Sequence, residues 1–313
     1  MKFAVISDIH GNLPALDAVI ADAEKENVDT YIFVGDYCIS HPYPDECIAK
    51  IRSLDKKYAV RGNEEQYLEN LIGKDRSDWT DGQMQISYWC YQKIKPDNLR
   101  YLLSLPEEIE LIDNGVWLHI AHSSEAFIGK CEYRDWSTAG VAARYKDEWI
   151  MQEALEADIR DYFNHHEQFQ EVFSRLENGI YIFGHSHVQW SYQSGDGKKI
   201  LLNPGSCGLP LDCIKEGVPY TILAVTEEGN VVIEERRAAF DKEKYITLFR
   251  QSEQFQKAAV WSNIIVKELE TTREHMRFFL NYVENYAGEI GDTKRPYSVS
   301  TWEKAFELWQ ELP

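Results

Sequence analysis

The chain has 313 residues, of which 44% are hydrophobic and 27% charged, the balance of an ordinary globular protein rather than a disordered or membrane-embedded one. Acidic residues outnumber basic ones by 52 to 33, and the net charge of −19 excludes a long nucleic acid as the expected partner, because such binding needs a basic face. A small phosphorylated or nucleotide substrate is not excluded, since bound cations reverse the potential inside a single pocket. No apolar run approaches the ~18 residues of a membrane span. The N-terminus enters a strand-like run directly, without the layout of a signal peptide, so no membrane contact and a cytoplasmic location are expected. Cys38, Cys47, Cys90, Cys131, Cys207 and Cys213 show no C-x-x-C spacing and are expected as reduced, packing thiols.

In chain order, Phe3-Ala4-Val5-Ile6 reads as a buried parallel-type strand, and residues 13–26 as a helix with Leu13, Leu16, Ala18, Val19, Ile20 and Ala23 on its apolar face. Tyr31-Ile32-Phe33-Val34 predicts a second strand, 44–53 a second helix and Tyr58-Ala59-Val60 a third strand. This alternation is the pattern of βαβ units. A helical insertion follows over about 64–104. Strands return at 107–112 and 116–120, joined by Asn114-Gly115, a strong hairpin signal. A second helical insertion covers about 125–178, ahead of the strand Ile180-Tyr181-Ile182-Phe183. Runs at 188–193, 199–202, 220–225 and 231–235 read as a meander. From 241 to 313 the pattern is helical, with Phe249, Phe255, Trp261, Ile264, Phe278, Phe279, Tyr282, Trp302, Phe306 and Trp309 expected to be buried. The expected organisation is a catalytic domain over 1–240 and an α-helical extension over 241–313, packed on that domain or on a second subunit, which leaves a homodimer open.

Five segments place metal-type ligands at the ends of apolar runs: Asp8-Ile9-His10, Gly35-Asp36, Gly62-Asn63, His122 and Gly184-His185-Ser186-His187. Taken singly, most are explained as well by turn or cap chemistry. Asp8 and His10 lie two apart, as do His185 and His187, so an extended strand end presents both to one side. A dinuclear hydrolytic site needs two cations about 3.5–4 Å apart, held by a bridging oxygen ligand and terminal nitrogen and oxygen ligands. Asp36, after a buried strand and a glycine that lets backbone approach, suits the bridge. His122 is preferred to His119, which sits inside its strand and reads as core; His165, His166 and His275 read as solvated.

With D-x-H, G-D, G-N, H and G-H-x-H in this order, the chain resembles the calcineurin-like metallophosphoesterases over about residues 1–240. Ser7 to Asn12 and Asn203-Pro204-Gly205-Ser206 are most similar to the small prokaryotic phosphodiesterase branch. The resemblance implies an α/β fold: a sandwich of two mixed β-sheets flanked by helices, with the ligands on loops at one end. It implies one metal held by Asp8, His10, Asp36 and His187, and a second held by Asp36, Asn63, His122 and His185. It also implies a metal-bridging hydroxide as nucleophile, with Asp36, Asn63, His122 and His185 in catalytic roles. So nitrogen-rich a donor set points to two transition-metal ions, Mn, Fe or Zn, rather than to Mg²⁺ or Ca²⁺.

Many such enzymes carry a histidine after the Gly-Asn pair, where this chain reads Gly62-Asn63-Glu64-Glu65. A carboxyl there acts as an acid only if burial raises its pKa. Otherwise another donor, such as His41 or metal-bound water, protonates the leaving group, or the substrate carries a good one. Asn12, His41, Arg61 and Glu64 are the candidate substrate contacts. The aromatics of 79–91 and 127–149 are either core or the wall of a base-binding cleft. The expected activity is hydrolysis of phosphodiester or phosphoanhydride bonds in a small substrate. A dinucleoside polyphosphate hydrolase, a serine/threonine protein phosphatase and a non-catalytic scaffold are the alternatives, and seven competent ligand positions count against the last.

Overall fold

The structure is a computed structural model that describes residues 1–129 and 136–311; Cys131 lies outside them. An opening βαβαβ unit consists of β1 (Lys2–Ile6), α1 (Leu13–Lys25), β2 (Thr30–Val34), α2 (Pro44–Ser53) and β3 (Lys57–Val60). Helices α3 (Asn63–Glu69), α4 (Gln85–Lys93) and α5 (Pro96–Leu103) fill the first insertion, before the hairpin of β4 (Glu108–Asp113) and β5 (Val116–Ala121). The second insertion carries α6 (Glu125–Ile128), α7 (Thr138–Tyr145), α8 (Gln152–His165) and α9 (Glu167–Arg175). Then come β6 (Gly179–Ile182), β7 (Gln189–Gln193), β8 (Lys199–Pro204), β9 (Val218–Val225) and β10 (Val231–Ala238). The tail is α10 (Lys242–Arg250), α11 (Glu253–Lys257), α12 (Ala259–Thr271), α13 (Met276–Ile290) and α14 (Val299–Gln310).

Two mixed five-stranded sheets form, in the orders β10-β9-β1-β2-β3 and β4-β5-β6-β8-β7. The period-two alternation of β1 explains how they stack. Phe3 and Val5 join Ile32, Val34 and Val60 against Leu118, Ile120, Ile180, Ile182, Ile200 and Leu202 of the other sheet. Ala4 and Ile6 point the opposite way, into a second core with Leu16, Val19 and Ile20 of α1. Because β1 is covered on both faces, its sequence is a continuous apolar run.

The expected meander does not form. β7 and β8 pair antiparallel in one sheet, and β9 and β10 pair antiparallel in the other. The chain between them turns at Gly205, at a φ of 74°, and runs beneath the ends of β1, where Cys207 N donates to Ser7 O and Gly208 N to Asp8 O. Local strand patterning reports hairpins but carries no information on which sheet receives them.

The tail helices pack on the sandwich through two cores. Tyr245, Ile246, Phe249, Ile265 and Leu269 close over Leu209 and Leu211, and Phe279, Val283, Trp302 and Ala305 join α13 to α14. Phe278, expected to be buried, is 41% exposed: the buried stripe of α13 is Met276, Phe279, Val283 and Ala287, and position 278 falls off it. His275 is likewise half-buried rather than solvated, beside Thr271 and Trp309. Burial pulls its pKa down to about 4. No helix among the described residues is long and apolar enough to cross a membrane.

Candidate metal centre

Strands β1, β2 and β3 run parallel and adjacent, so the segments that leave their C-terminal ends, bearing Asp8 and His10, Asp36, and Asn63, lie side by side. β5 and β6 are also parallel and deliver His122 and the His185 and His187 pair to the same rim. Ligand sites at the carboxyl ends of parallel strands follow from this geometry. Five of the seven side chains sit on left-handed backbone: Asp8 (φ 52°), His10 (54°), Asp36 (52°), His185 (68°) and His187 (55°). Such conformations disfavour residues with a Cβ and cluster where function holds the backbone in place. Space is equally tight. A Cβ on Gly35 would lie 2.5 Å from His122 Nδ1 and 2.8 Å from Gly62 Cα.

The side chains converge in two groups, Asp8 with His10 and His187, and Asp36 with His122 and His185, each with ligand atoms within 4.8 Å of one another. Asp36 also groups with His10 and Glu64, which places it between the two. Asn63 Oδ1 lies 2.9 Å from His122 Nε2, and Asp36 Oδ2 lies 3.2 Å from the same nitrogen. The rings are aimed by their outer nitrogens. His122 Nδ1 donates to Val34 O at 2.6 Å, His187 Nδ1 to Leu209 O at 2.9 Å, and His10 Nδ1 to Glu64 Oε2 at 2.9 Å. Such partners fix the tautomer and leave Nε2 as the atom free to ligate a metal. His10 Nε2 and His187 Nε2 consequently face each other at 3.0 Å.

Two nitrogen lone pairs at that distance repel unless a positive charge lies between them, and in the metal-free protein a proton supplies it. Burial works against charge on His10, but Glu64, Asp36 and Asp8 raise its pKa to about 9, while burial brings His187 down to about 4. His10 therefore donates to His187. At the second group burial again opposes charge, yet Asp36 and Asp8 push His122 up to about 10. Burial would raise Asp36 too, but His122 and His10 and the N–H of Glu64 hold it well below the usual carboxylate range. Two protonated imidazoles occupy places that suit two dications, and the N/O donor set fits transition metals.

The expected substrate contacts fare differently. Asn12 is fully buried and structural: Oδ1 caps α1 by accepting from Ala15 N, and Nδ2 donates to Gly208 O. His41 is fully buried, with Nδ1 against the Tyr245 hydroxyl at 3.0 Å. Arg61 is held by Glu69 and by Gln66 Oε1. None of these three lines the cleft; Glu64 does. Its carboxyl, raised to about 7 by burial despite the opposing charge of His10, is committed to the His10 ring. His119 is half-buried rather than core, away from the centre, stacked on Tyr181 and 2.9 Å from Glu110. Among the described residues no insertion aromatic lines the cleft: Trp79 stacks on Tyr88, and Phe127 packs against Tyr181 of β6.

Two supports escaped the sequence reading. Glu65 is fully buried and accepts from Gly62 N at 2.8 Å, Asp36 N at 3.2 Å and Tyr37 N at 3.0 Å, tying the β2 and β3 loops together. Its signal was available as an acid at the third position of a helix. Asn203 Nδ2 reaches Gly184 O and Ser186 Oγ, both at 2.9 Å, and Ser206 Oγ reaches Asp8 O at 2.8 Å. The centre opens into a cleft of about 340 Å³ whose opposite side is built by α12 and α13.

Two face-to-face mixed sheets with helices outside define a metallophosphoesterase-type α/β fold, and comparison with known proteins agrees. A metallophosphoesterase from Sphaerobacter thermophilus superposes with a TM-score of 0.59 at 21% identity, over 87% of this chain and 100% of that one. A hypothetical protein from Pyrococcus horikoshii gives 0.56 at 17%, over 88% and 99%. Coverage of 87% reaches beyond the 240 residues that precede the tail, so part of the tail belongs to the shared fold. An uncharacterised protein of Methanocaldococcus jannaschii is 29% identical over 257 residues, 77% of this chain and 88% of the relative. Residues 1–189 match the calcineurin-like phosphoesterase model, and the chain belongs to that family, which binds divalent metal ions.

Proposed function

We propose that this protein is a dinuclear metal-dependent phosphoesterase that hydrolyses phosphodiester or phosphoanhydride bonds in a small substrate. The observation that carries the reading is the inward convergence of His10 and His187 Nε2 at 3.0 Å, beside a second acid and imidazole group whose Asp36 also groups with His10 and Glu64. Asp8, His10, Asp36 and His187 would hold one cation, and Asp36, Asn63, His122 and His185 the other. Bound cations supply Lewis-acid polarisation of the phosphoryl oxygens and lower the pKa of water.

The chain's own residues then position and screen. His122 and His185, edge to face with ring centroids 5.2 Å apart, flank the phosphoryl position and offset charge that grows there. Glu64 lines the cleft but its carboxyl is engaged with the His10 ring, and among the described residues no other imidazole or carboxyl takes the place of the missing histidine. Good leaving groups are therefore favoured: aryl esters and phosphoanhydrides over alkyl esters. A cleft of about 340 Å³ suits a small ligand better than a folded phosphoprotein.

Metal analysis after Mn²⁺ loading, with turnover of a nitrophenyl phosphodiester, a dinucleoside polyphosphate and a phosphoserine peptide, tests this. The wild type is expected to bind two ions and to turn the peptide over slowest. Asp36→Asn is expected to lose one or both ions and to slow turnover on the order of a thousandfold, the scale of removing a principal charge-stabilising group. Two ions and full rate in Asp36→Asn would overturn the mechanism.

A further inference from the structure

The cleft has a second wall that the metal centre does not account for. Trp261 and Ile265 of α12 and Met276, Arg277 and Leu280 of α13 line it together with five of the seven candidate ligand positions, His10, Asp36, Asn63, His185 and His187. This second wall carries four apolar side chains, two carboxylates, Glu268 and Glu274, and one cation, Arg277. Arg277 is exposed and makes no ion pair among the described residues, in a chain whose acids outnumber its bases by 52 to 33.

Glu268 and Glu274 form no ion pair with it among the described residues, and their oxygens accept from other groups. Glu268 Oε1 accepts from His275 N at 2.8 Å and from Met276 N at 2.7 Å, and Glu274 Oε1 accepts from Arg277 N at 2.8 Å. Glu274 Oε2 takes the Thr138 hydroxyl at 2.5 Å, which ties the start of α13 to the second insertion. Burial and the adjacent Glu274 raise the Glu268 carboxyl well above its usual range. The backbone that carries Arg277 is thus held by Glu268 and Glu274, and among the described residues its guanidinium pairs with no acid.

A guanidinium offers a planar fork of donors that matches phosphate or carboxylate oxygens, and the reacting phosphoryl group is already served by the opposite wall. We propose that the helical tail completes the substrate site and that Arg277 binds a second anionic group of the substrate, a phosphoryl or carboxylate group distinct from the one that reacts. The substrate class is then a small organophosphate with two anionic groups joined by a short spacer, its apolar part lying against Trp261 and Leu280. This rests on the phosphoesterase reading for the position of the reacting group.

Calorimetric binding to Mn²⁺-loaded protein separates the cases, with methylphosphonate, phosphonoacetate and methylenediphosphonate as probes. Wild type is expected to prefer at least one two-anion probe over methylphosphonate by tenfold or more. Arg277→Ala and Arg277→Gln are expected to remove most of that preference, and Arg277→Lys to keep part of it. A loss confined to methylenediphosphonate assigns a second phosphoryl group; a loss that includes phosphonoacetate assigns a general second anion. No wild-type preference, or an equal loss for all three probes, overturns the proposal. If the preference is lost in the variants while wild type hydrolyses no ester, Arg277 stands as an anion site and the phosphoesterase reading falls.

Discussion

The two walls of the cleft are built to opposite specifications. On the rim of the sandwich, buried acids and imidazoles sit on left-handed backbone and are aimed by a surrounding set of carbonyls and carboxylates. Each left-handed residue costs on the order of 1 kcal/mol, so the packing that holds five of them has been spent on position. On the tail side, apolar residues, Glu268, Glu274 and a guanidinium without an ion pair among the described residues stand on and between two ordinary helices, with no left-handed backbone among the lining residues. The difference separates fixed chemistry from adjustable recognition. On this reading, substitutions on the rim should disturb metal binding, and substitutions on the tail wall should leave it intact.

The strongest way to break that division is to titrate it. His10 and His122 are protonated at neutral pH in the metal-free protein, with pKa values of about 9 and about 10, so loading Mn²⁺ should displace about two protons. Affinity should then fall by up to about a hundredfold per pH unit on acidification below 8, measured by calorimetry in buffers of different ionisation enthalpy. The metal-free protein should show the opposite trend. Both histidines are raised above their ordinary value of 6.5, so the stability they contribute is complete below that pH and is lost as pH climbs toward 10. Melting in chelator at pH 6.5 and pH 9.5 checks the sign.

A smaller effect is expected at Glu65. Glu65→Ala strands three buried N–H groups, at a cost of roughly 3 kcal/mol by the usual penalty for unsatisfied donors, and should loosen metal binding as the β2 and β3 loops part. Denaturant titration and metal analysis read the two consequences separately. Glu64→Gln should weaken metal affinity by about 10- to 100-fold, the range for a partner that orients a ligating histidine, with turnover recovering as Mn²⁺ is raised. A turnover deficit that persists at saturating Mn²⁺, and only with alkyl leaving groups, would show Glu64 to be the acid instead. Smallest is Leu280→Ala on the tail wall. It should raise KM for a nitrophenyl ester by about threefold through lost apolar contact, while two ions stay bound.

The same contrast explains what could be read from the chain. Asp8, Asp36, Asn63, His122 and His185 were visible because each ends or follows an apolar strand at a short, regular spacing, and the strands themselves follow from local patterning. Arg277 was not, because nothing in its helix differs from a solvated surface; its role exists only once α13 lies over the rim. Arg61 and His41 failed for the converse reason, since proximity in sequence to a ligand does not fix the direction in which a long or buried side chain points. Glu65 could have been found from helix-start chemistry, but the three amides it gathers come from loops whose adjacency is tertiary.

His10 and His187 are 177 positions apart, and the groups they belong to are assembled from both sheets. Pairings of that sequence separation form late in folding, after the loop-closure entropy of most of the chain has been met. If the proposed metals bind here, they would not nucleate this protein as they do a zinc finger; they would recognise a finished sandwich. Ion uptake during refolding should lag the recovery of helical signal and coincide with docking of the two sheets, which makes cation binding a clock for the last step of folding.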